Sequence, residues 1–293
     1  MSPIDLEEFA TWAATTAATT AAATAEQPRP TPPPIPRQWS HEHLTLSVRD
    51  GVGVATPAAP WDACTHCRGL RYTVEAHGGY EYAVTCRCEL LHTSAATYTR
   101  AGIPAIAGRV GQRLSDLDWS RIDGAERVRE RIETWARGAM ARTSDRPILV
   151  LCGPPGTGKT HIAAALTLHA CVTRPHARPA WLRWSRVLDV MGRMSDVDPD
   201  EQERRRALRA RLDASGLVVI DELTTQGGEW GTRELERIAS TAVDERRPLI
   251  VTSNESPAQA RAAHGDRVWS RIAGAGEVVD VRGFDYRLTG PRK

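Results

Sequence analysis

The stretch from Pro147 to Thr160 restricts the fold more than any other. Pro147-Ile148-Leu149-Val150-Leu151-Cys152 is a short apolar run of the kind buried in a parallel sheet. It feeds straight into Gly153-Pro154-Pro155-Gly156-Thr157-Gly158-Lys159-Thr160, which fits G-x-x-x-x-G-K-[ST] at every fixed position. A buried strand, a turn rich in glycine and a helix beginning at Lys159 would aim several backbone N–H groups and a helix N-terminus at one phosphate. On this reading the turn, with His161 just beyond it, holds ATP, Lys159 contacts the outer phosphates and the Thr160 hydroxyl ligates Mg2+. Composition marks the same place, because only two of the 38 basic residues are lysines, Lys159 and Lys293. Arg and Lys serve equally on an ordinary surface, so an internal lysine kept inside this turn points to a site that needs a compact ammonium.

The residues around that turn alternate between apolar strands and amphipathic helices. A helix is expected after Asp123 as N-cap, with Val128, Ile132 and Trp135 on one face. Strands are expected near Trp181 to Trp184, at Leu217 to Ile220, at Pro248 to Thr252 and at Glu277 to Val281. A long charged helix is expected to run to about Leu212, and another to start at Ser256-Pro257. Strands separated by helices imply parallel βαβ units, hence an α/β three-layer fold. Trp119, Trp135, Trp181 and Trp184, with Cys152 and Cys171, are expected in the core.

Two polar sites follow the strands. Asp221-Glu222 closes the Leu217 to Ile220 run, where Asp221 would hold magnesium and Glu222 would polarise an attacking water as general base. Asn254 follows the next strand and would orient the same water. Arg267 and Arg271 lie four apart on a short helix, and Arg287 falls in Phe284-Asp285-Tyr286-Arg287. Their spacing alone fits either plain surface residues or cations that stabilise γ-phosphate charge, in their own subunit or in a neighbour's.

The N-terminal third is different in kind. Residues 1–26 form an Ala/Thr-rich tail or partner-docking helix, residues 27–38 a proline-rich linker, 39–99 a small cysteine-bearing module and 100–293 the α/β domain. Cys64-x-x-Cys67 and Cys86-x-Cys88 are spaced for a tetrahedral Zn2+ site, with His66 and His92 as possible substitutes. Two disulfides are the alternative pairing, and the acidic start Met1 to Ala10, unlike a secretory signal, argues for a cytoplasmic protein in which they do not form. Tyr72, Tyr80 and Tyr82 with Arg68, Arg71 and Arg87 outline a basic-aromatic face able to stack single-stranded DNA, to bind protein or simply to pack the module. No run approaches the ~18 apolar residues of a membrane span. A net charge of +2 leaves nucleic-acid contact to local basic surfaces.

GPPGTGKTHIAAAL, LVVIDEL, PLIVTSN and RVWSRI followed by FDYR resemble the ordered motifs of AAA+ ATPases, and within them the bacterial DnaC-type helicase loaders and IstB-type transposition ATPases. The resemblance runs from about Ala101, where AGIPAI resembles the segment preceding the ATPase core, to Arg287. It implies a P-loop NTPase with a reduced or absent helical lid, behind a zinc-stabilised module, and an ATP-dependent homo-oligomer with shared active sites. By motif position Arg271 would act on the neighbouring subunit and Arg287 on its own. The resemblance further implies remodelling of a replicative DNA helicase assembly in DNA replication. The alternatives are an IstB-type helper that binds duplex DNA and recruits a transposase, and a zinc adaptor that binds ATP without hydrolysing it. Glu222 stands where several relatives carry a second Asp.

Overall fold

The computed structural model describes residues 44–58, 62–106, 113–191 and 198–286. The tail, the linker and Arg287 lie outside the described residues. Tyr72–Thr85 forms a compact unit by itself, and the other described residues form a second. The first is an antiparallel hairpin of β3 (Tyr72–His77) and β4 (Tyr80–Thr85), turned at Gly78-Gly79, both with positive φ. Residues directly opposite share a face, so Tyr80 and Tyr82, paired with His77 and Glu75, lie on one side and Tyr72, paired with Thr85, on the other. The pleat therefore splits the aromatic face expected from composition.

The second unit begins with a hairpin, β1 (Leu44–Arg49) and β2 (Val52–Pro57), followed by α1 (Arg87–Ala101). Ala55 N–H donates to the Thr99 hydroxyl, 3.1 Å, and fixes β2 on α1. Then come α2 (Ala125–Met140), β5 (Ile148–Cys152), α3 (Lys159–Thr173), β6 (Ala180–Arg183), α4 (Trp184–Met191), α5 (Pro199–Asp213), β7 (Val218–Leu223), α6 (Gly228–Asp244), β8 (Leu249–Ser253), α7 (Pro257–His264), α8 (Asp266–Gly274) and β9 (Gly276–Asp280). The five later strands form one parallel sheet in the order β6-β7-β8-β5-β9.

Strand periodicity builds the two cores. Leu149 and Leu151 of β5 join Val219, Ile250 and Val279 under Tyr98 of α1, Ile132 of α2 and Ile162 and Leu166 of α3. Ile148, Val150 and Cys152 face the other way and join Val218, Ile220, Leu249 and Val251 beneath Trp184, Leu212, Leu235 and Trp269. A strand covered on both faces reads as an unbroken apolar run, which is why β5, β7 and β8 were legible. Three layers result, as expected. No helix follows β9 among the described residues, and none is long and apolar enough to cross a membrane.

Some boundaries differ from expectation. α2 is capped by Gly124, in a left-handed conformation, and not by Asp123. The single long charged helix is two helices: α5 restarts at Pro199 behind Asp198, whose carboxylate accepts from Glu201 N–H at 2.8 Å. β7 continues through Asp221 and Glu222 to Leu223 instead of ending at Ile220. α6 had no sequence assignment.

Tyr98 is fully buried, and its hydroxyl has no hydrogen-bond partner among the described residues. Burial pushes its phenol above the ordinary range, with Cys171 adding to the effect. An unpaired buried hydroxyl costs about 1–3 kcal/mol. Tyr98→Phe should therefore leave stability unchanged or raise it by about 1 kcal/mol, whereas Tyr98→Ala should cost about 3–5 kcal/mol; urea unfolding midpoints of the two variants check both.

Candidate functional site

The carboxyl ends of β5, β7 and β8 lie side by side, because β8 is inserted between the other two. In parallel α/β sheets this end is where ligands bind. Gly153, Gly156 and Gly158 have φ of 135°, 79° and 91°. Only glycine takes such angles without strain, and a Cβ at Gly153 would also collide with the Val281 carbonyl. Gly158 is the N-cap of α3, so the loop ends on that helix's free N–H groups. Lys159 is 6% exposed, and its Nζ donates to the carbonyls of Gly153 at 2.8 Å and Pro154 at 2.6 Å. Thr157 Oγ1 donates to Pro154 O at 3.0 Å and braces the same turn.

Asp221 is 2% exposed and accepts two hydroxyl hydrogen bonds on Oδ1, from Thr160 at 3.1 Å and Thr252 at 2.7 Å. Burial pushes its carboxyl above the ordinary value, against the two hydroxyls; Glu222 adds to the rise and Arg183 opposes it. Arg183 lies opposite Asp221 in the β6–β7 register. Thr252 also accepts Glu222 N–H on its Oγ1, 3.0 Å. One threonine thus fixes both members of the acidic pair.

Glu222 has φ of +60°, and the β7–β8 register shifts between Ile220 and Leu223. Ile220 opposes Val251 and Leu223 opposes Ser253, so β7 carries one extra residue, a β-bulge. Left-handed backbone at a non-glycine costs about 1–3 kcal/mol. Here it turns the Glu222 side chain out of the alternation and onto the rim of a cavity of about 450 Å³. Gly156, Gly158, Lys159, Thr160, His161, Asp221 and Asn254 line the same cavity. Burial lowers the His161 pKa, favouring the neutral imidazole. Pro154 and Pro155 line an adjoining cleft with Asn254.

Several wall residues were not singled out from the sequence: Thr252, Arg183, Tyr286 and the Pro104-Ala105-Ile106 segment. Asp285 and Tyr286 cross the phosphate loop. Tyr286 N–H donates to Gly156 O, 3.0 Å, its hydroxyl donates to Asp118 O, and the Arg121 guanidinium stacks 5.2 Å from its ring centre. The Asp285 carboxylate abuts Gly156 so closely that a Cβ there would collide with it. Arg271 is elsewhere. It lies half exposed on α8, with Nη1 2.5 Å from Ser240 Oγ and 3.8 Å from Glu236, and it is not among the cavity's lining residues. Arg267 pairs with the same Glu236 at 3.1 Å.

The four cysteines form a second centre. All four Sγ atoms lie within 4.8 Å of one another, with Cys64 and Cys86 at 3.8 Å and Cys67 and Cys88 at 3.4 Å. A tetrahedron with Zn–S bonds of about 2.3 Å has edges of about 3.8 Å, and a disulfide needs about 2.05 Å. The set therefore fits one zinc ion and excludes disulfide pairing in this arrangement. Cys86 is the N-cap of α1 and Cys88 lies in its first turn, where the helix dipole favours thiolates. Backbone N–H groups of Cys67 and His66 bring the Cys64 thiol down to about 7, whereas burial raises Cys86 and Cys88.

Hard oxygen donors from Thr160 and Asp221, facing a turn shaped for phosphate, fit a magnesium-bound nucleotide. Thr252→Val keeps the shape of the bridging residue and deletes its hydroxyl. It should cost about 1–3 kcal/mol of stability by orphaning buried groups, and it should weaken magnesium-dependent nucleotide binding, while Thr252→Ser preserves both. Thermal unfolding and equilibrium binding of a labelled nucleotide measure the two effects.

A protein family described as "IstB-like ATP binding protein" matches residues 106–293. No curated protein matches the chain. Among solved structures, one titled "Crystal Structure of the DnaI" is 17% identical, covers 59% of this chain and 89% of that one, and superposes with a TM-score of 0.43. The DnaC helicase loader is 20% identical over 61% of this chain and 96% of that one, TM-score 0.41. A putative primosome component from Streptococcus pyogenes serotype M3 is 21% identical over 57% and 87%, TM-score 0.42. With the family match spanning more than half its length, the chain belongs to the IstB-like ATP-binding family of AAA+ proteins.

Proposed function

We propose that the chain is a magnesium-dependent ATPase that works as a homo-oligomer and remodels a replicative helicase–DNA assembly. The observation that carries the ATPase reading is the single cavity lined by Lys159, Thr160, Asp221, Glu222 and Asn254. Magnesium, when bound, neutralises charge on the transferred phosphoryl group. The chain's own residues do the rest. Lys159 exchanges its two loop carbonyls for phosphate oxygens, and the glycine-turn N–H groups hold the remaining charge. Thr160 and Asp221 hold the metal. Glu222, on its bulge, accepts a proton from the attacking water, which Asn254 orients. Arg271, outside its own subunit's cavity, serves a neighbour, and Arg287 serves its own. The 39–99 module takes one zinc on Cys64, Cys67, Cys86 and Cys88 and, with the N-terminal tail, engages the partner. The family match favours a second reading, a transposition helper that shares the same site and differs in its partner.

Glu222→Gln should lower ATP turnover by about 10²–10⁴ while nucleotide binding survives. Unchanged turnover would remove Glu222 as the base. Affinity capture with this ATP-holding variant separates the two readings, since a replicative helicase supports the first and a transposase the second. Zinc content should be one ion per chain and should fall to none in a Cys86→Ser/Cys88→Ser variant, with a lower Tm; a wild-type protein purified under reducing conditions with no zinc removes the metal from the proposal.

A further inference from the structure

The end of the sheet opposite the phosphate loop is an arginine-rich surface that no part of the ATPase chemistry uses. α3 and α5 finish there, and the end of α1 meets the end of α5. Carbonyls at helix C-termini carry partial negative charge. Two arginines answer that charge. Arg211 donates Nη2 to Ala101 O at 2.9 Å, and Arg247, 3% exposed, donates Nη1 to Leu212 O at 2.6 Å and Ser215 O at 3.2 Å.

Four more arginines at this end are not accounted for in this way. Arg100, Arg142, Arg174 and Arg178 make no ion pair or side-chain hydrogen bond among the described residues, and Arg174 Nη1 is buried without a hydrogen-bond partner. Burial, then the nearby Arg142 guanidinium, lowers the Arg174 pKa, and the same Arg142 contributes to a lowering at Arg247. The nearby carboxylates are already engaged: Glu245 with Arg247 at 3.7 Å, Asp145 with Arg246 at 2.8 Å and Asp213 with Arg237 at 3.7 Å. Like charges gathered without counter-charge raise the energy of the folded chain unless an anion joins them.

The surface is also concave. Arg100 at the end of α1, Arg178 ahead of β6 and Arg211 at the end of α5 line a cavity of about 640 Å³ with Thr97 and Ser215, and no carboxylate lines it. Arg178 has φ of +47°, and Ala177 beside it accepts Gly216 N–H, so its backbone is held at the cavity mouth. Guanidinium groups present paired N–H donors suited to phosphate oxygens, whereas the Thr97 and Ser215 hydroxyls already donate to Pro175 O and Arg211 O, both at 2.5 Å, so the arginines carry the recognition. We propose that this pocket binds phosphate groups at a site separate from the phosphate loop, either the backbone of a nucleic-acid strand or a free di- or polyphosphate.

The test uses the full chain carrying Lys159→Ala, so that phosphate binding at the phosphate loop is weakened and the Arg100/Arg178 variants report the separate pocket. Fluorescence anisotropy with a labelled 20-nucleotide deoxythymidine strand and calorimetry with inorganic pyrophosphate are compared before and after adding Arg100→Ala/Arg178→Ala. Loss of about tenfold in strand affinity, with the salt-dependence slope reduced by about 1.4, supports a strand backbone, because each lost single-strand phosphate contact removes about 0.7. Loss confined to pyrophosphate supports a free phosphate compound. The lysine pair Arg100→Lys/Arg178→Lys should retain binding within about threefold, which separates charge from packing. Binding unchanged within twofold in the alanine pair, or no binding of either probe to the Lys159→Ala parent at low salt, overturns the proposal. ATP binding by the alanine pair on the wild-type background reports the nucleotide site independently.

Discussion

The buried Asp221 carboxylate organises the site. At 2% exposure it loses the water that would stabilise its charge, and two hydroxyls replace part of that solvation. Those hydroxyls belong to different elements: Thr160 opens α3, and Thr252 lies on β8. Each bond therefore joins β7 to another part of the fold, and together they set the distance between the phosphate loop and the acidic strand. A hard cation held by Thr160 and Asp221 would offset the remaining desolvation penalty, so metal binding and local order would favour the same geometry.

The bulge at Glu222 follows from the same bridge. A regular strand would send Asp221 and Glu222 to opposite faces, with one of them lost to the core. The extra residue in β7 lets both reach the cavity, and the backbone strain at φ +60° is offset by the Glu222 N–H bond to Thr252. A threonine is suited to this place because its single oxygen both donates to the carboxylate and accepts from the amide. Valine there would fill the same volume and provide neither bond.

What the sequence revealed divides along physical lines. β5, β7 and β8 were legible because two-sided burial keeps each run apolar, with Thr252 the one polar side chain inside the runs read from sequence. The phosphate loop was legible because its spacing is set by contacts within eight consecutive residues. The cysteine pairs were legible for the same reason, each pair being local. α6 escaped because it opens Gly227-Gly228-Glu229-Trp230-Gly231, which reads as a turn, although Leu235, Ile238, Ala239 and Ala242 then follow at helical spacing and are all buried. Thr252 escaped because a threonine inside an apolar strand is unremarkable until its neighbour across the ladder is known. Arg183 escaped likewise, since only the β6–β7 register sets it opposite Asp221. The splitting of Tyr72 from Tyr80 and Tyr82 depends on pairing, which composition does not contain.

α1 joins the two centres that the sequence presented as separate. Its N-cap is Cys86 and its first turn holds Cys88, and fifteen residues later it ends at Ala101. A helix of that length spans about 22 Å as one stiff rod, with Tyr98 and Ala101 locked into the core beside α3. The chain continues at once into Ile103 to Ile106, pinned to the β1–β2 turn by Gly53 N–H to Ile103 O at 2.9 Å and Ala105 N–H to Gly51 O at 2.8 Å. Pro104, Ala105 and Ile106 then form one wall of the nucleotide cavity. Cysteine cluster, helix and cavity wall are thus successive pieces of one packed segment.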